Sequence, residues 1–282
     1  MHSAALAWPA GQAGAGGPSN RQVSSRKRTR EAILKLVPAL LAILCFNVGC
    51  VPSETAAPRS VAPTAAIVTA VPQPSAASHI TGYEFPVSID PASRYMFYLH
   101  GRIIEDVGLP AVSPDFGEYE YAAILKTLEG HDFVVISEQR PKATDAEAYA
   151  QKVVGQINTL LKAGVPAGNI TVVGASKGGF IAATISLLLP DPAINYVLIG
   201  TCYPDAVEAW NSSGSHFHGN VLTIRDVADL EYAGSCEELF RMSQGKGLGR
   251  HEEIVLQEGT GHGILYKPLD AWILPAVQWA AE

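Results

Sequence analysis

Charge is scarce in this chain. Only 17% of its 282 residues are charged, and the balance is acidic, with 27 Asp and Glu against 20 Lys and Arg. A domain short of cations repels a phosphate backbone, which excludes nucleic acid as a partner. Four cysteines in this length are too few for a scaffold built on disulfides. No Cys, Asp or Glu stands at ligand spacing around the close pair His216 and His218, so the usual pattern of a metal site is missing there. The N-terminal apolar run, Leu36 to Phe46, carries Pro38 and is shorter than the ~20 residues a spanning helix needs. There is no internal repeat.

What is present begins with a leader. Met1 to Asn20 is rich in Ala, Gly and Pro, Arg21, Arg26, Lys27, Arg28 and Arg30 follow as a basic cluster, and the apolar run comes next. Basic then apolar is the order of an export signal. The segment Asn47-Val48-Gly49-Cys50 resembles a bacterial lipoprotein cleavage box, with Asn47 where a leucine-like residue is usual. That resemblance implies lipidation at Cys50 and a membrane contact through the attached lipid; plain secretion and an uncleaved anchor are the alternatives. Val51 to Ser78 is Ala, Pro, Ser, Thr and Val with almost no charge, the composition of a tether that cannot bury a core. The expected organisation is therefore a leader over 1–50, a linker over 51–78 and one folded domain over 79–282. Removing residues 1–49 takes away six basic side chains against Glu31, leaving a net charge of about −12.

Within the folded part, strand-like runs near Tyr83–Ile89, Arg94–Leu99, Phe133–Glu138, Ile170–Gly174, Tyr196–Cys202, Val221–Arg225 and Glu253–Gln257 alternate with helical patterns. This alternation predicts an α/β domain with a mostly parallel, doubly wound sheet. The clearest helix is Thr144 to Ala163, where Thr144 and Glu147 have capping-box spacing and Tyr149, Val153, Ile157, Leu160 and Leu161 share a face. About 200 residues make one domain. The connection from Tyr203 to Asn220 is too short for a separate cap, which implies an open site.

The run ITVVGASKGG, Ile170 to Gly179, places Ser176 between Gly174 and Gly178 where a β-rich segment meets an apolar helical one, Phe180 to Leu189. G-x-S-x-G at such a junction is the pattern of a nucleophile elbow. A serine hydroxyl needs a base and an acid to orient it. His262 lies in the glycine-rich loop Gly259 to Gly263, between a strand-like run and the closing amphipathic stretch Leu269 to Ala280. Two acids follow the run Val221 to Ile224: Asp226 at its end and Asp229 a turn later. The later position favours Asp229, and Asp226 stays open. Upstream, Tyr95 to Leu99 ends in His100-Gly101-Arg102, a turn suited to backbone donors for an oxyanion.

The order Ser176, Asp229, His262, with the His-Gly turn before them, resembles the α/β-hydrolase superfamily of serine esterases, thioesterases and peptidases, over roughly Ser93 to Glu282. The resemblance implies an α/β-hydrolase fold, cleavage of a small carboxylic ester or thioester through an acyl-enzyme, and no cofactor. It also implies oxyanion donation by the backbone N–H groups of Lys177 and of Arg102, with Gly101 as the alternative to Arg102. His100 is read as holding its turn. The same triad would serve an amide or peptide substrate, and a silent surface-tethered binding protein is the reading from another class.

Some residues carry two readings. Lys177 follows the nucleophile: its ammonium either reaches solvent or a carboxylate, or it biases the site toward anionic acyl or leaving groups; Ser-Lys-Gly also resembles some acyl-CoA thioesterases and acyltransferases, which makes that class the runner-up. Phe116, Tyr119 and Tyr121 either line an acyl pocket or pack the first helix. Glu138 and Arg140 are read as a structural ion pair, with substrate contact as the alternative. Cys202 and Cys236 form either a disulfide bracing the loop of Asp229 or two buried thiols.

Overall fold

The structure, a computed structural model, describes residues 80–282. The leader, Cys50 and the linker up to residue 79 lie outside the described residues. In chain order come β1 (Arg94–Leu99), α1 (Arg102–Val107), the hairpin strands β2 (Val112–Ser113) and β3 (Gly117–Glu118), α2 (Tyr121–Glu129), β4 (Phe133–Ile136), α3 (Ala146–Lys162) and β5 (Ile170–Ala175). Then follow α4 (Lys177–Leu188), β6 (Asn195–Ile199), α5 (Pro204–Ser212), β7 (Gly219–Asp226), α6 (Glu237–Ser243), β8 (Leu248–Leu256) and α7 (Asp270–Ala281). Among the described residues no helix is long and apolar enough to cross a membrane.

Six strands form one sheet in the order β4-β1-β5-β6-β7-β8, every pairing parallel. The fold is the doubly wound α/β arrangement expected of the sequence. A parallel sheet needs both faces covered, so its strands read as continuous apolar runs, and all six residues of β5 are buried. Alternate side chains feed two cores. Tyr95, Phe97, Leu99, Ile170, Val172, Tyr196 and Leu198 pack with α3, α4, α5 and α6 on one face. Met96, Tyr98, Val173, Ala175, Val197 and Ile199 pack with α1, α2 and α7 on the other. The chain winds from β1 outward to β4, then crosses back to β5 and runs on to β8. The strand order therefore reverses between β1 and β5, where open α/β sheets bind ligands at the carboxyl ends of their strands.

Several expected boundaries move. Tyr83–Ile89 is not a strand: Ser137 N–H donates to the Tyr83 carbonyl at 2.7 Å, Pro86 has no N–H to offer a ladder, and the apolar residues Phe85 and Ile89 lie against the core from outside the sheet. That same bond from Ser137 ends β4 at Ile136 instead of Glu138. β6 ends at Ile199, not Cys202, because Gly200 and Cys202 take φ of +59° and +57°. The cap of α3 is Asp145, whose carboxylate accepts from Ala148 N at 2.8 Å; Thr144 instead donates its hydroxyl to the Pro141 carbonyl at 2.7 Å. The capping box of Thr144 and Glu147 is thus not formed.

Cys202 and Cys236 are joined in a disulfide. It ties the turn after β6 to the start of α6, and Gly234 N–H donates to the Thr201 carbonyl at 2.9 Å beside it.

Candidate active site

Ser176 sits where β5 becomes α4, and its backbone is held at φ +54°, ψ −118°. A non-glycine residue at positive φ costs about 1–3 kcal/mol and persists only where its surroundings impose it. Here the packing does so. A Cβ on Gly174 would lie 2.2 Å from the Gly178 carbonyl oxygen, and one on Gly178 would lie 1.8 Å from that of Leu99. Only glycine lets the helix start this close to β1 and β5. From Ile170 to Ala183, Ser176 is the one residue that is not buried. The elbow thus lifts one hydroxyl out of an otherwise closed junction.

The serine amide donates to the Ile199 carbonyl at 2.9 Å, which sets the elbow against the end of β6. The next residue, Gly200, lies under the imidazole of His262: a Cβ there would stand 3.1 Å from Cε1. His262 is buried in a 3-10 turn, Gly261–Tyr266. Its Nδ1 meets Asp229 Oδ2 at 2.6 Å, with both side chains nearly closed to solvent. A carboxylate only accepts, so Nδ1 carries a proton, and in the neutral imidazole that leaves the lone pair on Nε2. The other oxygen of Asp229 accepts from Tyr232 N–H at 3.2 Å.

Asp226 has a different task. Fully buried at the end of β7, it accepts from Ala228 N at 3.0 Å and Gly261 N at 3.0 Å through Oδ1, and from Gly259 N at 3.1 Å through Oδ2. One carboxylate thereby fastens the turn that carries Asp229 to the loop that carries His262. The sequence pattern offered both acids for the imidazole; the structure pairs Asp229 with it and gives Asp226 three backbone amides.

At the end of β1, Gly101 lies against the elbow, where an added Cβ would be 3.8 Å from Ser176 Cβ. The Gly101 amide faces the Tyr119 hydroxyl at 3.3 Å, which sets it apart from the Arg102 amide at the start of α1. The Lys177 amide opens α4 in the same way. His100 holds its turn as expected. Its Nδ1 donates to the Gly101 carbonyl at 2.8 Å, and its Nε2 accepts from Arg140 N–H at 2.9 Å. Burial, with the Arg140 charge second, keeps its pKa well below the usual imidazole value, so it stays neutral.

Sequence reasoning missed the cluster beneath this turn. Glu105, on α1, accepts from Lys177 Nζ through Oε2 and from Arg140 Nε at 2.6 Å through Oε1, and all three side chains are buried. Lys177 Nζ also donates to the Thr144 carbonyl at 2.7 Å, and the Arg140 guanidinium reaches the His100 carbonyl. The expected pair of Glu138 with Arg140 does not exist: Glu138 binds Lys152 at the surface, and Arg140 turns inward. Of the three aromatic residues, Tyr119 and Tyr121 pack in the core, Tyr119 bonding Tyr98 at 2.7 Å and Tyr121 bonding Ser137 at 2.6 Å. Phe116 alone stands beside His262, with ring centroids 6.2 Å apart.

No protein-family model and no curated protein matches this sequence. Distant solved structures do. SOBER1 of Arabidopsis thaliana is 13% identical over 68% of this chain and 100% of its own, with a TM-score of 0.43. Esterase 2 of Thermogutta terrifontis, solved phosphoramylated by tabun, is 17% identical over 71% of this chain and 85% of its own, at 0.45. A lipase-esterase related protein from Clostridium acetobutylicum is 14% identical over 66% and 93%, at 0.40. At these identities and TM-scores, neither activity nor substrate passes from those proteins to this one.

Proposed function

We propose that the protein is a serine hydrolase that cleaves a carboxylic ester through an acyl-enzyme. The observation that carries the reading is the buried 2.6 Å pair of His262 and Asp229 at the strand ends that also hold the strained, solvent-reaching Ser176. Ser176 Oγ attacks the ester carbonyl as His262 Nε2 takes its proton, while Asp229 holds the tautomer and stabilises the imidazolium. Negative charge collects on the carbonyl oxygen, where the N–H groups of Lys177 and Arg102 donate to it; one such donor is worth about 3 kcal/mol in the transition state. The C–O bond to the alcohol then breaks and the imidazolium returns its proton to the departing oxygen. Water, deprotonated by the same imidazole, frees the acid and restores Ser176. None of these steps calls on a cofactor.

The protein acts outside the cytoplasm in this reading, tethered by a lipid on Cys50 at the outer face of a bacterial membrane, its small ester substrate arriving from solution. The disulfide supports an oxidising compartment. Treatment with a fluorophosphonate tests the catalytic claim: one equivalent should attach at Ser176, none to Ser176→Ala, and the variant should lose at least 99% of ester turnover. Unchanged turnover in Ser176→Ala would refute the reading.

A further inference from the structure

The side of the site that receives the leaving group has a chemistry of its own. Resting on the hydrolase reading above, it follows that the departing oxygen must come within hydrogen-bond reach of His262 Nε2, so the first atoms of the alcohol lie beside the imidazole. Two rings from separate loops flank that imidazole. Phe116, on the β2–β3 hairpin, stands 6.2 Å from it and 5.3 Å from Tyr266. Tyr232, just past Asp229, stands 4.9 Å from it, with 38% of its surface still exposed. Leu230, on the same loop as Tyr232, is 86% exposed.

Cations are withheld from this region. Lys177, next to the nucleophile, spends its ammonium on Glu105 and the Thr144 carbonyl, turned away from the elbow. Arg102, next to the oxyanion turn, pairs with Asp106 at 3.1 Å. The three segments around His262, residues 112–120, 227–236 and 257–266, contain no lysine or arginine, while Asp115, Glu118, Glu231 and Glu258 on them are exposed. Burial first, then a hydrogen bond to Glu231 and the nearby charges of Glu231, Asp115 and Asp229, raise the Tyr232 hydroxyl to about 12, so its ring stays neutral and available for apolar or cation–π contact.

We propose that the substrate is an ester of an apolar alcohol, neutral or cationic, seated against Phe116 and Tyr232, and that anionic leaving groups, coenzyme A thioesters among them, are rejected. The lysine beside the nucleophile is already engaged, the exposed charges on the three segments around His262 are carboxylates, and Lys267, which follows them in the chain, pairs with Glu120 at 3.6 Å. A cation or a neutral branched group meets two aromatic faces.

Three acetate esters of similar size test this: 3,3-dimethylbutyl acetate (neutral), acetylcholine (cationic) and 2-sulfoethyl acetate (anionic), with acetyl-coenzyme A alongside. The first two should have kcat/KM at least about tenfold above the sulfonate, with coenzyme A poorest, and rising salt should narrow the gap because exposed charges are screened. Asp115→Asn combined with Glu231→Gln should narrow it too, at low salt. Phe116→Ala and Tyr232→Ala should each raise KM for the dimethylbutyl ester by several-fold more than for methyl acetate. An anionic ester used as well as the neutral one, or a ratio that neither salt nor the double variant moves, would overturn the inference, provided Ser176 still takes the fluorophosphonate. A protein whose Ser176 takes no label would bring down the hydrolase reading and this inference with it.

Discussion

Replacing each acid by its amide separates the two aspartates by what they hold. Asp229→Asn keeps the shape but not the tautomer: the new amide can donate to Nδ1, which moves the imidazole proton to Nε2 and, in the proposed mechanism, leaves Ser176 without its base. In a serine protease that change costs about 10⁴ in kcat, or about 5.4 kcal/mol of barrier. Its structural cost is small, since one oxygen remains to accept from Tyr232 N–H at 3.2 Å. Asp226→Asn inverts the pattern. Its carboxylate accepts three amides with no exposure to water. An Asn offers one oxygen and one NH2, so at least one of Ala228, Gly259 and Gly261 would face a donor. A buried bond to a charged acceptor is worth about 1.5–3 kcal/mol, which puts the whole loss at roughly 2–4 kcal/mol. At ~2–4 °C per kcal/mol for a domain of this size, Tm should fall by roughly 5–15 °C. Turnover measured well below Tm should drop by no more than about tenfold, through looser placement of His262. The assay is a thermal melt and a kcat on the same preparations, with fluorophosphonate labelling to count intact sites. If Asp226→Asn melts like wild type but loses its turnover, while Asp229→Asn keeps it, the assignment of roles is wrong.

Three further outcomes follow from the same geometry. Glu105→Gln should destabilise by about 3–5 kcal/mol, because it leaves the buried cations of Lys177 and Arg140 unpaired, whereas Lys177→Met should melt closer to wild type and keep most turnover, since the proposed mechanism calls only on the Lys177 amide; thermal melts and kcat decide. Cys202→Ser with Cys236→Ser should lower stability by up to about 4 kcal/mol on the chain-entropy account of a link across 34 residues, read as a fall in the denaturation midpoint, with kcat at low temperature within about threefold of wild type. Full-length protein expressed in a lipoprotein-processing bacterium should begin at Cys50 and carry acyl chains by intact mass, and Cys50→Ser should leave the membrane fraction; an unmodified N-terminus elsewhere refutes the anchor.

The parts of the site that were legible are those fixed by local sterics. Gly174 and Gly178 leave a pattern because a Cβ at either position would strike backbone, and such a requirement is written within five residues. His262 was readable because its loop turns through Gly259 and Gly261, at φ of +71° and +56°. The misread elements share another cause: apolar spacing reports burial and says nothing about backbone pairing. Tyr83–Ile89 has the apolar content of a strand because Phe85 and Ile89 cover the core, yet no ladder bonds it. Thr144 and Asp145 are both competent caps, and the choice is made by the Pro141 carbonyl, which takes the Thr144 hydroxyl.

The ion cluster beneath the elbow shows why charge is harder to read than shape. Arg140 binds Glu105, 35 residues upstream, and Lys177 binds the same carboxylate 72 residues away. The sequence neighbour Glu138 was the plausible partner, but it lies beyond the end of β4 on the surface side, where Lys152 meets it. A charge beside a nucleophile invites a role in recognition. Here the backbone and side chain of Lys177 face opposite duties: its amide opens α4 beside the site, and its ammonium locks α4 to α1, whose own first amide belongs to Arg102. The two helix starts that would cradle an oxyanion are thus joined through Glu105. The close packing of Gly174 and Gly178 sets where α4 starts, and the buried ions add a side-chain link from there to α1. In the proposed mechanism, Phe116 and Tyr232 would therefore meet the alcohol from loops separate from this ion cluster.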